Sequence, residues 1–342
     1  MIRHDMDVVQ GEDGTATLHL EQDRLRMEQQ RGAGLLLSIE AGNSVALHRI
    51  RLWIVEHLDE LLPELAPSLR WSDDGARSEE VLPPYFHQLT LSGKRLLPCG
   101  LMRLTFHVDG MERLAEDGIH VKLLLPPAGR DPVWPKLALN GGLVQPVGAD
   151  TLAIRTYTIR AIRPASDEID VDVVVHTGGV FSDWAASAPA GEVIGLLGPS
   201  GFQKIPPVAP FLIAADATAA PAAARMIEAL ARDQASSAAP EPSGGHVILG
   251  LGTDRQAADY LEGLDLAALG LVVQGLGADV FSRDIEAAIR SAARDAPPGF
   301  AWFAGEHRDA QRLRPVFRND FALGKGAQYA IAYWTEGRRQ GA

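Results

Sequence analysis

The chain has 342 residues, 46% apolar and 22% charged, and its 44 acidic side chains outnumber 32 Lys and Arg for a formal net charge of −12. Two or three domains are expected at this length, and no basic stripe offsets the acidity, which excludes nucleic acid and anionic membrane surfaces as partners. Cys99 is the one cysteine, so an internal disulfide and any iron–sulfur or multi-cysteine metal site built by this chain alone are also excluded.

The first residues, including His4, Asp5 and Asp7, carry no signal-peptide apolar core. No segment reaches the roughly 18-residue apolar run of a membrane span, and the sequence reads as cytoplasmic. Residues 1–85 read as a small α+β unit. Ala16, Leu18 and Leu20 alternate, a turn is expected at Glu21-Gln22-Asp23, and Leu25 and Met27 resume the alternation, predicting a hairpin. Leu47, Ile50, Ile54, Leu58 and Leu61 recur at helical spacing behind the cap candidates Asn43 and Ser44, predicting one helix over that sheet. His48 and His57 on that helix are not spaced as a metal pair and belong to its solvated face. A polar, proline-ended linker is expected over 75–84.

Over 95–205 short strands dominate, at 101–108, 119–126, 152–162, 169–177 and 193–197, which predicts a six-stranded antiparallel barrel closed by Gly198-Pro199-Ser200-Gly201. On a strand through 152–162, Arg155, Tyr157 and Ile159 point one way and Thr156, Thr158 and Arg160 the other. A guanidinium for phosphate, an aromatic edge for ring and ribityl, and hydroxyls for the ring edge together suit a flavin. The β-branched run 169–176 leads into Gly178 and Gly179, with Ser182 placed to open a short helix containing Trp184, whose first N–H groups would face a diphosphate. The alternative reading has His176 capping a strand end and Trp184 as ordinary core.

From 206 to 342 strands and helices alternate, predicting a parallel sheet. Strands are expected at 211–215, 247–251, 269–273, 300–304 and 329–334, helices at 219–232, 255–261, 280–293 and 308–317, and a polar loop at 236–245. Asp216-Ala217-Thr218 joins the first strand to its helix, where open α/β sheets bind ligands. Asp216 or Thr218 could equally cap that helix. Asp254 suits a free ribose hydroxyl and Arg255 a 2′-phosphate, so those two cues cancel. Arg312 and Arg314 are expected in helix-face salt bridges.

Arg155-Thr156-Tyr157-Thr158-Ile159-Arg160, with His176-Thr177-Gly178-Gly179 after it, resembles the flavin-binding strand of the ferredoxin-reductase-like superfamily and, within it, the siderophore-interacting protein family. The resemblance covers 95–337 and continues in family order through His120-Val121-Lys122-Leu123, Asp216 to Pro221, Trp302-Phe303-Ala304-Gly305-Glu306 and Tyr333-Trp334-Thr335-Glu336-Gly337. It implies a multidomain chain: an N-terminal α+β unit, an antiparallel six-stranded β-barrel as flavin domain, and an α/β parallel-sheet nicotinamide-binding domain. The first unit is similar to the latter part of a small uncharacterised domain found alone or fused to this family.

The implied cofactor is FAD, bound by Arg155, Tyr157, Thr158, Arg160, His176, Thr177, Gly179, Phe181, Ser182 and Trp184, with Asp216 and Thr218 between flavin and nicotinamide. The implied activity is ferric-siderophore reduction with NADH or NADPH as donor, and Tyr157 and Thr158 at the flavin and Lys122 at the chelate act as orienters. Lys122 is one of five lysines, and an exposed strand lysine is its alternative reading. Ala217 replaces a family Glu and Thr335 a family Arg, for which Arg338, Arg339 or Lys325 would compensate. A ferredoxin-dependent or general flavin reductase, or a non-catalytic flavin- or siderophore-binding protein, are the competing readings.

Overall fold

The computed structural model describes residues 7–11, 15–20, 23–29, 34–72, 81–114, 118–201, 205–206, 208–236 and 244–337. The expected turn at 21–23, the linker over 75–84 and the polar loop at 236–245 fall mostly outside these residues, as do Arg338 and Arg339. By contacts the chain divides into two compact units, one of residues 1–86 and 129–152, the other of 87–128 and 153–342.

In the first unit β1 (Asp7–Gln10), β2 (Ala16–Leu20), β3 (Asp23–Gln29) and β4 (Leu35–Glu40) form an antiparallel sheet in sequence order. The predicted hairpin is β2–β3, with Leu18 opposite Leu25. Helix α1 (Ser44–Leu61) starts at Asn43, whose Oδ1 accepts the Ala46 N–H at 2.8 Å. Leu18, Leu25, Ile50 and Ile54 bury together, so the apolar stripe of α1 packs on the sheet. Strand β4 escapes a pattern reading because its Leu35-Leu36-Leu37 run does not alternate.

The barrel begins with β5 (Phe86–Leu96), all but its first residue in the second unit, followed by β6 (Leu101–Val108) and β7 (His120–Leu125). The chain then supplies β8 (Lys136–Leu137) and β9 (Leu143–Val144) to the first unit. It returns for β10 (Ala153–Arg163), β11 (Glu168–Val174), helix α2 (Val180–Ser187) and β12 (Val193–Ser200). The six strands close in the order β10-β11-β6-β5-β12-β7. Leu104, Phe106, Val121, Leu123, Ile159, Val171, Ile194 and Leu196 fill the interior. The predicted barrel is present, but β5 was missing from the expected strands. Ser92-Gly93 breaks its alternation where the register with β6 shifts between Leu91 and Gly93. The strand expected to reach Thr177 ends at Val174, because the His176 N–H donates to Ser182 Oγ at 2.6 Å instead of joining a ladder.

Beyond the barrel come β13 (Phe211–Ala215), α3 (Ala220–Ser236), β14 (Gly245–Leu249), α4 (Asp254–Tyr260), β15 (Leu271–Gly275), α5 (Phe281–Ala292), β16 (Phe300–Glu306), α6 (His307–Pro315) and β17 (Gln328–Trp334). The strands form a wholly parallel sheet, ordered β15-β14-β13-β16-β17. Phe211, Ile213 and Ala215 share one core with α3, and Leu212 and Ala214 share another with α5 and α6, so both faces are covered. Strand β14 begins two residues before the apolar run because Gly245 pairs with Phe211. Strand β15 begins two residues late because the Leu269 N–H closes a turn onto Asp265. The last predicted helix gives way after Pro315 to a π turn, Val316–Asp320.

Candidate active site

Strand β10 carries the expected cluster. Arg155 is half-buried, and its Nη1 donates to the Ile154 carbonyl at 2.7 Å. Among the described residues it pairs with no carboxylate. The Tyr157 ring lies 5.4 Å from that of Phe181, and burial pushes the Tyr157 hydroxyl above its usual range while the Arg155 charge pulls it back. Phe181 meets Trp184 edge-on at 6.2 Å, and Trp184 stacks on Phe106 at 6.3 Å, so these rings fasten α2 to the barrel wall. The Trp184 Nε1 is buried with no hydrogen-bond partner among the described residues.

Helix α2 begins behind Gly178, at φ +80°, and Gly179, and no side chain caps it. A Cβ on Gly179 would sit 2.5 Å from His176 Cε1, so the imidazole folds over the glycine. His176, Thr177 and Gly178 are exposed. Ser182 is buried in the first turn, where Oγ accepts from His176 N–H and donates to the Val174 carbonyl at 3.4 Å. Its side chain ties the turn together, and the helix itself opens at Val180. FAD fits these residues: a guanidinium that meets no carboxylate among the described residues and a helix N-terminus without a side-chain cap suit its diphosphate, and the Tyr157 ring suits its flat portion.

The outward face of β7 and β10 is where barrel and parallel sheet meet. Lys122 is opposite Thr156, and both are exposed. One register step on, Thr158 Oγ1 lies 3.3 Å from His120 Nδ1, and His120 Nε2 lies 3.3 Å from the Tyr333 hydroxyl. Burial draws His120 down to about 4, so the ring is neutral. The Tyr333 hydroxyl is pushed up by burial and by the nearby Asp216 charge.

Arg160 departs from the cofactor role. Its Nη1 meets Glu228 Oε1 at 2.6 Å, its Nη2 the Tyr260 carbonyl at 3.3 Å, and its guanidinium lies over the Tyr260 ring. This buried ion pair joins the barrel to α3. Alongside it, Arg225 donates to the Ile159 carbonyl at 2.8 Å, and Tyr260 donates to Asp172 Oδ2 at 2.6 Å. Asp172 is also gripped by both arms of Arg103 at 2.7 Å. Glu228, Tyr260, Asp172 and Arg103 carry no local motif, and sequence reasoning missed them.

At the C-terminal edge of the sheet, Asp216 Oδ1 accepts from Thr218 N–H at 2.8 Å, Thr218 Oγ1 at 2.6 Å and Ala219 N–H at 3.1 Å. Its Oδ2 accepts from Trp334 Nε1 at 2.7 Å. Burial raises the Asp216 carboxyl, and the Thr218 and Trp334 donors oppose that rise. Asp216 and Thr218 therefore form a helix cap, the simpler of their two readings. Glu306 accepts the Arg308 N–H at the start of α6 and the Glu336 N–H at 3.1 Å. Burial would raise its carboxyl, but these N–H groups and that of Asp309 hold it below its ordinary value.

Arg312 makes the expected ion pairs, with Asp309 at 2.9 Å and Glu286 at 3.6 Å, whereas Arg314 makes no salt bridge among the described residues and donates to the Ala330 carbonyl of β17 instead. Asp254 Oδ1 accepts the Gly275 N–H at 2.8 Å, whereas the Arg255 side chain is 90% exposed and 3.7 Å from Asp259. Among the described residues no helix is long and apolar enough to cross a membrane, and no group of three His, Cys, Asp or Glu could hold a metal.

Comparison with known proteins returns two family models: residues 90–203 match the siderophore-interacting FAD-binding domain, and residues 208–337 match the siderophore-interacting protein. An uncharacterised protein of Mycobacterium tuberculosis is 33% identical over 221 residues, 58% of this chain and 74% of that one. The ferric vibriobactin reductase ViuB of Vibrio cholerae is 26% identical over 272 residues, 77% of this chain and 94% of that one. Among solved structures, the siderophore-interacting protein of Acinetobacter baumannii superposes with a TM-score of 0.55 at 19% identity, over 75% of this chain and 92% of that one, a likeness of fold.

Proposed function

The chain belongs to the siderophore-interacting protein family, of ferredoxin-reductase-like fold, and we propose that it is an FAD-dependent ferric-siderophore reductase that takes electrons from NADPH and delivers them to chelated Fe(III). The observation that carries this reading is Arg155, a guanidinium with no carboxylate partner among the described residues, on the same strand as Tyr157, whose ring packs on Phe181 in the first turn of α2. In the proposed division of labour, residues 95–205 hold FAD and 206–342 receive the nicotinamide nucleotide, with 1–85 as an accessory domain. Arg155 and the first N–H groups of α2 hold phosphate, His176, Thr177 and Gly179 border it, Tyr157 lines the ring, and Thr158 offers its hydroxyl to the ring edge.

Bound FAD would accept two electrons together and release them singly, which matches a hydride donor to a one-electron metal acceptor. No side chain need act as acid, base or nucleophile: the residues position the reactants. Lys122, exposed on the outer face, offers a positive contact to the chelate. Hard oxygen chelators hold Fe(II) weakly, so reduction releases iron. The Asp254 carboxylate is engaged by Gly275 while Arg255 reaches into solvent, which favours a 2′-phosphate and hence NADPH over NADH. The single cysteine is in keeping with a cytoplasmic setting.

Ferrozine trapping of Fe(II) from ferric hydroxamate and catecholate chelates, with anaerobic NADPH and FAD-loaded protein, tests the reading. Trapping in proportion to bound FAD supports it. Bound FAD with no trapping from NADPH, NADH or reduced ferredoxin would leave a binding protein instead.

A further inference from the structure

Strands β7 and β10 are paired neighbours in the barrel, with Leu125 opposite Ala153, yet the chain between them takes all of 126–152 to return. A connection longer than ~15 residues rarely holds its own shape. This one contains β8 and β9, of two residues each, and a 3₁₀ turn at Gly148–Asp150. So small a hairpin is marginal alone.

Residues 129–152 belong to the first compact unit, and residues that precede the barrel supply what the loop lacks. Val81 bridges to Leu137, whose N–H donates to the Val81 carbonyl at 2.8 Å and whose side chain is buried. At the tip, the Trp71 indole N–H donates to the Asn140 carbonyl at 2.8 Å, and Asn140 Nδ2 donates to the Ala66 carbonyl at 3.0 Å. The next residue has to be glycine. Gly141 has φ +83°, and a Cβ there would lie 2.9 Å from Trp71 Nε1 and 3.3 Å from Arg51 Cβ. Trp71 is backed in turn by the Arg51 guanidinium, 4.6 Å from its ring centre. The tip is thus seated on α1 and the segment after it.

The neck of the loop is closed separately. Arg130, on the outward path, holds Asp150 Oδ1, on the return path, through Nε at 2.9 Å and Nη2 at 2.7 Å. Three residues after Asp150 the strand β10 begins, and it carries Arg155. The backbone leading into Arg155 therefore takes its shape from residues that lie before the barrel in sequence.

We propose that the first unit serves cofactor retention: Trp71, through Asn140, and Arg130, through Asp150, are positioning residues that fix the start of β10 and so hold the Arg155 guanidinium for the FAD diphosphate. This rests on the proposed function. Neither residue touches the cofactor. Their contribution is to remove conformational freedom from the loop, so that less ordering remains to be done when the diphosphate binds.

Equilibrium dialysis of FAD against the intact chain tests this in a double-mutant cycle. Trp71→Phe keeps an aromatic ring and removes the N–H that holds the tip. Arg130→Gln opens the neck, where the two side chains are 49% and 34% exposed, so the fold survives. Each should weaken FAD roughly fivefold in the wild-type background, and less than about twofold when Arg155 is already Ala. Unchanged FAD affinity in both variants overturns the proposal. Equal losses in the two backgrounds overturn it as well, since a merely structural role would act whether or not Arg155 is present. Wild-type protein that binds no FAD overturns the cofactor assignment and the positioning role together.

Discussion

The Tyr333 hydroxyl lies 3.3 Å from Nε2 of His120, joining the last strand of the parallel sheet to the barrel. The other imidazole nitrogen faces Thr158 Oγ1 at 3.3 Å. A neutral imidazole has one donor and one acceptor, so one hydroxyl donates to it and the other accepts.

That relationship has a pH consequence. Burial lowers His120 from 6.5 to about 4 in the fold, so between those values the unfolded chain binds the additional proton. Stability contributed by neutral His120 is present above 6.5 and declines as the pH falls toward 4, by about 2 kcal/mol at pH 5. Urea unfolding at pH 7 and pH 5 should show this loss in the wild type and less of it in His120→Gln. Equal pH slopes would remove His120 from the account.

Arg160 and Glu228 make a second testable joint. The side chains are 8% and 23% exposed, and Arg160→Ala would leave Glu228 facing only the weaker partner Arg225 at 3.9 Å. A loss of about 3 kcal/mol is expected, the low end for a broken buried pair. The folded variant should keep its full FAD content, because this guanidinium is engaged by α3. A stable variant that emptied of FAD would restore Arg160 to the cofactor.

Nucleotide preference should follow Arg255. Arg255→Ala is expected to lower the NADPH to NADH ratio of kcat/KM about tenfold, the value of one charge-assisted contact. Steady-state kinetics with both donors measures it. A ratio that stays constant would move the 2′-phosphate elsewhere.

Gly275 tolerates no side chain, since a Cβ there would lie 2.2 Å from the Thr253 carbonyl oxygen. The obstacle is backbone, and Gly275 N–H also holds Asp254. Gly275→Ala should cost about 1–3 kcal/mol and weaken 2′,5′-ADP binding, as thermal melts and calorimetry would show. A variant with wild-type melting and affinity would contradict this geometry.

The parts legible in the sequence were those with a local signal. The alternations around Val121 and Ile159, the helical spacing from Leu47 to Leu61 and the cap at Asn43 predicted elements that are present. Strand β5 was illegible because a bulge at Ser92-Gly93 interrupts its period. The end of β11 was illegible because a hydrogen bond from His176 to Ser182, six residues apart, ends it. The contacts of Arg160 with Glu228, of Tyr260 with Asp172 and of Trp334 with Asp216 join positions 68, 88 and 118 residues apart. No window of sequence contains both partners, so Arg160 read as a cofactor-binding residue and Trp334 as part of a terminal motif.

If the barrel binds FAD through Arg155, the visible absorption of the purified protein reports it without any assay of turnover. Wild-type protein reconstituted with micromolar FAD should retain flavin bands after gel filtration, with close to one FAD per chain, and Arg155→Ala should lose most of them. A colourless wild type, or an Arg155→Ala variant with equal FAD, would contradict the account.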